Sequence, residues 1–249
     1  MRLKDRTAIV TGAASGFGRE IARVFAREGA KVMLADINLQ GAEAVAAEIG
    51  DAARAVACDV SDGDQVRAAV DAAIAAFGGL DIAVNNAGWS HPNGPLLSVD
   101  HATFRKLYAI NVDSIFHMTH AVVPHFRTRG GGSMLNIGST AGIRPRPGLT
   151  WYNSTKGAVH LMTKSLAVDL APDRIRVNAL APVLAATGLM ETFIGQPDSP
   201  EAREKFLATI PLGRLCETTD LAAAALFLSS EEASFLTGVI LPVDGGRCV

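Results

Sequence analysis

Aromatic residues are scarce in this 249-residue chain, at 6%, and only Tyr108 and Tyr152 are tyrosines. Any chemistry that needs a phenol must use one of those two. Cysteine is scarcer. Cys58, Cys216 and Cys248 are odd in number and far apart, with no metal-ligand spacing. No metal site and no disulfide framework is expected, and idle thiols in a reducing compartment are. No charge excess is present either: 23 Lys+Arg against 25 Asp+Glu leave a formal net charge of −2. That balance lacks the basic stripe of a nucleic-acid binder. No apolar run reaches the length of a membrane span, and residues 1–6 hold no apolar leader. A soluble, cytoplasmic protein with neither membrane nor nucleic acid as partner is expected.

What the chain does have is alternation. Short apolar runs at 7–10, 31–36, 54–58, 80–84, 133–137, 175–180 and 239–241 predict strands. Between them, helical spacing of apolar residues predicts helices at 19–28, 42–49, 66–77, 103–126, 151–170 and 220–228. The strands read as apolar throughout, as parallel strands covered on both faces do. Repeated strand–helix alternation predicts an α/β fold: a doubly wound parallel sheet of Rossmann type, with helices on both faces. No linker or internal repeat divides it, so residues 1–249 read as a single domain. Residues 183–215, with Gly188, Gly195, Pro197, Pro200 and Pro211, are the least regular stretch and read as a substrate loop or lid.

The first strand runs into Thr11-Gly12-Ala13-Ala14-Ser15-Gly16-Phe17-Gly18 and then a helix. Glycines there permit a tight turn and close approach to a pyrophosphate, and the helix N-terminus offers N–H groups and a favourable dipole. Asp36 ends the second strand, roughly 20 residues further on, where a carboxylate can accept bonds from both adenosine ribose hydroxyls and repel a 2′-phosphate. Ile37 and Asn38 follow it, and Ser15 precedes Gly16, so no cation stands ready for such a phosphate. These features favour NAD over NADP.

Tyr152 and Lys156 lie one helical turn apart on one face. An ammonium near a phenol favours the phenolate, which makes Tyr152 a candidate general base for an alcohol or general acid for a ketone.

With these motifs in order, the chain resembles the short-chain dehydrogenase/reductase family from Thr11 to the Val243-Asp244-Gly245-Gly246 tail. The matching residues are Thr11 to Gly18, Asp59-Val60, Asn85-Asn86-Ala87-Gly88, Asn111, Ser139, Tyr152-x-x-x-Lys156 and Pro182…Thr187. The resemblance implies a hydride-transferring oxidoreductase. In it, Ser139 would hold the substrate oxygen and Tyr152 would exchange the proton. Lys156 would bind the nicotinamide ribose and lower the phenol pKa, while Asn111 would anchor a water linking Lys156 to solvent. Asp59 and Val60 would frame the adenine, Asn86, Ala87 and Gly88 would line the middle of the cofactor, and Thr187 would face the nicotinamide amide. Further cofactor contacts are expected from Gly12, Ser15, Gly16, Phe17, Gly18, Asp36, Ile37, Ile110, Pro182, Val183 and Ala185. Val183 stands where the family usually has Gly, which narrows the space beside the nicotinamide.

The same resemblance brings Ala141, Leu149 and Trp151 to the substrate, with Trp89 as the other wall. Arg144 and Arg146 are either partners for a substrate carboxylate or ordinary solvated or interface charges. Met190, Phe193, Ile194 and Phe206 suggest a hydrophobic lid or the packing of a small helix. The segments 103–126 and 152–170 are apolar on more than one face, as helices buried between subunits are. A homotetramer is expected, with a dimer as the fallback. The favoured reading is an NAD-dependent secondary-alcohol dehydrogenase, working reversibly on a small molecule. An NADPH-dependent 3-oxoacyl-thioester reductase, a sugar or polyol dehydrogenase and a non-catalytic dinucleotide sensor stay open as alternatives.

Overall fold

The computed structural model describes residues 1–184 and 199–249. The lid residues Met190, Phe193 and Ile194, and the cofactor candidates Ala185 and Thr187, lie outside the described residues.

The strands are β1 (Thr7–Thr11), β2 (Lys31–Asp36), β3 (Ala53–Ala57), β4 (Ile82–Asn85), β5 (Gly132–Ile137), β6 (Ile175–Pro182) and β7 (Ile240–Val243). They form one sheet in the order β3-β2-β1-β4-β5-β6-β7, and every neighbouring pair is parallel. The helices are α1 (Gly16–Arg27), α2 (Leu39–Ile49), α3 (Gly63–Phe77), α4 (His101–Tyr108), α5 (Ser114–Arg129), α6 (Thr150–Leu170), α7 (Pro200–Leu207) and α8 (Thr218–Ser229). Period-two alternation along each strand divides the apolar side chains between two faces. Ala8, Val10, Val32 and Leu34 pack with Ile21 and Phe25 of α1, Val45 of α2 and Leu221 and Leu226 of α8. Ile9, Met33, Ala83 and Met134 pack on the other face with Val66 and Val70 of α3, Met118 and Phe126 of α5 and Ala167 of α6. This is the doubly wound parallel sheet that the alternation predicts.

Two features differ from the sequence reading. The outermost strands are not sealed on both faces: β3 and β7 each contain exposed and half-buried residues, because an edge strand has a neighbour on one side only. The single helix expected over 103–126 is two, α4 and α5, joined by a π turn at Ala109–Asp113. Such a turn changes the i→i−4 bonding without ending the helical path, so apolar periodicity passes through it unmarked. The outward faces of α5 and α6 are also partly open. Phe116, Leu161 and Val168 are 54%, 67% and 75% exposed on the single chain.

The sheet is coupled to α6 by a chain of buried polar side chains. Asn85 of β4 donates through Nδ2 to Asn136 Oδ1 of β5 at 2.8 Å, and Asn136 Nδ2 donates to Thr163 Oγ1 of α6 at 2.9 Å. Thr163 Oγ1 in turn donates to the Val159 carbonyl at 2.8 Å. Asn136 is fully buried, so none of these groups has water as a substitute partner. Asn136→Ala leaves the Asn85 amide short of its acceptor and Thr163 short of a donor. The expected cost is about 1–3 kcal/mol for each stranded group, read as a lower midpoint in urea or thermal unfolding. A variant as stable as the parent would show that the chain of bonds contributes nothing.

Candidate active site

The connections leave β1 toward β2 on one side and β4 on the other, so a crevice opens at the C-terminal ends of the strands, where this topology places ligands. It holds a cleft of about 930 Å³. Asp36, Ile37, Cys58, Asp59 and Val60 line the end above β2 and β3. Gly12, Ser15, Gly16 and Phe17 face Asn86, Ala87 and Gly88 in the middle. Ser139, Tyr152, Lys156, Pro182 and Val183 line the end above β5 and β6.

The glycine turn is held from below. Thr11 Oγ1 accepts from the Asn86 and Ala87 N–H groups at 3.0 and 3.1 Å, and Asn86 Nδ2 donates to the Thr11 and Gly12 carbonyls at 2.8 and 3.1 Å. The Asn86 amide therefore clamps the turn while its residue lines the cleft. Gly12 has φ +64°, and a Cβ there would stand 2.9 Å from Ala87 Cα. Gly18 lies off the cleft wall. A Cβ there would be 2.2 Å from the Gly12 carbonyl oxygen, so glycine lets α1 pack against the turn.

The middle of the cleft fits a dinucleotide. Asn38, Asp62 and Asp100 cap α2, α3 and α4 through their side chains, but Ser15 makes no such bond to α1. The first-turn N–H groups of α1 are left for an anion at the glycine turn. At the β2 end, Asp36 Oδ2 accepts from the Ala14 N–H and Oδ1 from the Asn38 N–H, both at 2.9 Å. Each carboxylate oxygen has a second acceptor position, so the loop bonds fix the carboxylate and leave it able to accept from hydroxyls.

At the other end, Tyr152 is hydrogen-bonded to Ser139, whose Oγ also accepts from the Ala141 N–H at 3.1 Å. Burial pushes the Tyr152 phenol up to about 12, against smaller lowering by the Ser139 bond and the Arg146 charge. Burial also pulls the Lys156 ammonium down to about 8. Lys156 Nζ lies 5.8 Å from the Tyr152 ring centroid and donates to the Ile137 carbonyl at 2.9 Å. The sequence reading had Lys156 lowering the phenol. In this geometry the shift is upward, from desolvation, and the opposing effects come from Ser139 and Arg146. Behind Lys156, His160 fills the space under Gly138 and Gly142, and burial followed by the Lys156 charge lowers its pKa to about 4.

Asn111 sits in the π turn. Its amide donates to the Trp89 carbonyl at 2.8 Å and to Thr155 Oγ1 at 3.2 Å, while Oδ1 accepts from the Trp89 N–H at 2.9 Å. It braces the loop beside Gly88 and is not part of the cleft wall.

The substrate candidates divide. Trp89 is on the wall. Ala141 and Leu149 are buried behind it, and Trp151 packs edge-on against Phe104 with ring centroids 5.4 Å apart. Arg144 is exposed and donates to the Arg247 carbonyl at 2.7 Å, whereas Arg146 lines the cleft. Ile110 is on the wall as expected. Among the wall residues that escaped the sequence reading are Lys106, Gly138, Leu184 and Thr218. Lys106 was within reach of a pattern argument, because it precedes Ile110 by four residues, and its ammonium sits 4.4 Å over the Trp89 ring. Thr218 had no signal, since only the folded chain brings α8 to this edge.

A family model described as enoyl-(acyl carrier protein) reductase matches residues 12–247. The 4-formylbenzenesulfonate dehydrogenase of Comamonas testosteroni is 48% identical over 250 residues, covering 99% of both chains. The 7α-hydroxysteroid dehydrogenase of Escherichia coli (strain K12) is 40% identical over 249 residues, covering 99% of this chain and 95% of its own. A crystal structure of 3-ketoacyl-(acyl-carrier-protein) reductase from Brucella melitensis complexed with NADH is similar with a TM-score of 0.94 at 48% identity, over 99% of this chain and 100% of that one.

The buried lysine has a measurable consequence. Its folded-state pKa of about 8 lies below the ordinary 10.5, so between these values the unfolded chain holds a proton that the folded chain has released. Stability then rises with pH across that window and is flat in this respect below it. Urea unfolding of the cofactor-free protein from pH 7 to 10 is expected to show this rise, and Lys156→Met to reduce it. Equal slopes for the two proteins would mean that Lys156 keeps an ordinary pKa.

Proposed function

The chain belongs to the short-chain dehydrogenase/reductase family, and from that premise we propose that it interconverts a secondary alcohol and a ketone with NAD(H). On this reading the whole chain acts as one dinucleotide-binding and catalytic domain. The observation that carries it is the Ser139–Tyr152 hydrogen bond at one end of a cleft whose other end is Asp36.

When bound, a nicotinamide dinucleotide would supply the hydride acceptor for the alcohol carbon or the hydride donor for the ketone carbon. Gly12, Ser15 and Gly16 would hold the pyrophosphate, Asp36 the adenosine ribose, and Lys156 the nicotinamide ribose. Ser139 and Tyr152 would both donate to the substrate oxygen as charge develops there, which removes the need for a metal to polarise it. For ketone reduction Tyr152 gives its proton to the forming alkoxide. Its high pKa suits this, because the phenol is protonated at neutral pH. For alcohol oxidation the phenolate takes that proton, and the neighbouring Arg146 charge favours its formation. The balance is alcohol plus NAD⁺ to ketone, NADH and one proton.

NAD preference rests on the Asp36 carboxylate and the absence of a cation at positions 15, 37 and 38. A ring-bearing substrate is supported by the names of two relatives, the formylbenzenesulfonate and hydroxysteroid dehydrogenases. A 3-oxoacyl-thioester reductase is the second reading, favoured by the Brucella melitensis relative. Exposed Phe116, Leu161 and Val168 support association through α5 and α6, as a homotetramer or a dimer. Three free cysteines are consistent with a cytoplasmic setting.

Initial rates with aryl, cyclic, polyol and hydroxy-acid secondary alcohols, and with an acetoacetyl thioester, each with NAD(H) and NADP(H), test this reading. Turnover of a ring alcohol with NAD is expected. Tyr152→Phe is expected to lower kcat by about 10²–10⁴-fold while NADH binding persists. Near-parental activity in that variant would remove Tyr152 from the proton transfer. Asp36→Ala is expected to weaken NAD and narrow the gap to NADP. An unchanged cofactor ratio would mean that the adenosine ribose binds elsewhere.

A further inference from the structure

Resting on the alcohol–ketone reading, we propose that His160 is a positioning residue: standing behind the turn that follows β5, it fixes where Ser139 presents its hydroxyl to Tyr152.

Tyr152, Lys156 and His160 follow one another at four-residue spacing along α6 and so share one face of the helix. Each meets the end of β5 or the turn beyond it. Lys156 Nζ donates to the Ile137 carbonyl at 2.9 Å, His160 stands against Gly138, and Tyr152 is hydrogen-bonded to Ser139. Side chains from successive turns of one helix thus address successive residues of one connection.

The turn is built around the imidazole. Gly138 and Gly142 flank Ser139, Thr140 and Ala141, and neither glycine has a positive φ, so backbone conformation alone does not demand glycine there. The ring does. A Cβ on Gly138 would stand 2.3 Å from His160 Nε2, and one on Gly142 would stand 2.8 Å from His160 Nδ1. A single ring therefore supports both ends of the turn. Within it, the Gly142 N–H donates to the Ser139 carbonyl at 3.0 Å and the Ala141 N–H donates to Ser139 Oγ at 3.1 Å. A shift at either glycine is carried to the hydroxyl.

Packing alone does not account for a histidine here. The side chain is buried, and its Nε2 has no hydrogen-bond partner among the described residues. An aliphatic side chain would fill the space without stranding a polar atom. What the imidazole adds is a hydrogen bond to the Gly142 backbone, which fixes the far end of the turn. Burial and the Lys156 charge keep the ring uncharged at neutral pH, so no second cation faces Lys156.

The test uses one tyrosine as its reporter. In Tyr108→Phe the sole tyrosine is Tyr152, and isotopic labelling of tyrosine Cζ then gives one NMR resonance sensitive to hydrogen bonding of the phenol. Ser139→Ala in that background marks where the signal lies once the bond is lost. His160→Leu is expected to move the signal toward that position. His160→Asn, which keeps an N–H near the place of Nδ1, is expected to move it less. With 1-phenylethanol and NAD, or acetophenone and NADH, His160→Leu is expected to lower kcat by about 10- to 100-fold, because positioning is felt as charge develops on the substrate oxygen. KM and the NADH Kd should change little. Gly138→Ala should also lower kcat, and less so in a His160→Ala background, where the new methyl meets no ring. Parental signal and kcat in His160→Leu overturn the proposal. So does a fall in kcat with the signal unmoved, or effects of Gly138→Ala and His160→Ala that simply multiply. Should His160→Leu fail to fold, His160→Asn and the Gly138→Ala pair decide the matter. A signal that moves as expected, without turnover of any alcohol or ketone, would support the positioning and overturn the alcohol–ketone reading.

Discussion

The site depends on keeping α6 at a fixed height and rotation over β4 and β5. Those two strands are buried and parallel, and apolar contacts alone would permit a helix above them to slide by a fraction of a turn. The Asn85–Asn136–Thr163 chain removes that freedom, because polar groups in a dry interior are satisfied at one register only. Lys156 adds a second anchor from α6, through its bond to the Ile137 carbonyl at the end of β5. Tyr152 and Ser139 meet because one is carried by α6 and the other follows β5 directly. A register error at Asn136 would thus be felt at the phenol.

Burial moves the two central titratable groups in opposite directions, and both movements are toward the neutral form. Tyr152 is held protonated and Lys156 is brought toward losing its proton. The same desolvation strengthens every remaining charge effect in the cleft. A small number of nearby groups therefore decides when the phenol ionises, among them Ser139 and Arg146, which oppose the effect of burial.

Much of this was legible in the chain because it is local. The Gly turn between strand and helix, Asp36 at the end of β2 and the Tyr152–Lys156 spacing each follow from a few neighbouring residues. β2 itself was bounded correctly, since Lys31 and Asp36 flank an unbroken apolar run. The rest required tertiary information. The π turn that carries Asn111 leaves the apolar pattern of 103–126 intact, so sequence alone reads one helix. In the loop after Ser139, backbone direction decides which side chains reach the cleft. Ala141 and Leu149 turn inward, Arg144 turns to the Arg247 carbonyl, and Arg146 turns to the wall. The two arginines are equivalent by composition and differ only through contacts made to α6, α7 and the C-terminal segment.

The cleft is charged unlike at its two ends, with Asp36 above β2 and Arg146 beside Tyr152. This asymmetry gives a bound molecule an electrical as well as a steric orientation. Arg146 also lowers the phenol pKa through its charge, against the effect of burial, so the end of the cleft that holds Ser139 and Tyr152 is the end whose charge sets when the phenol ionises.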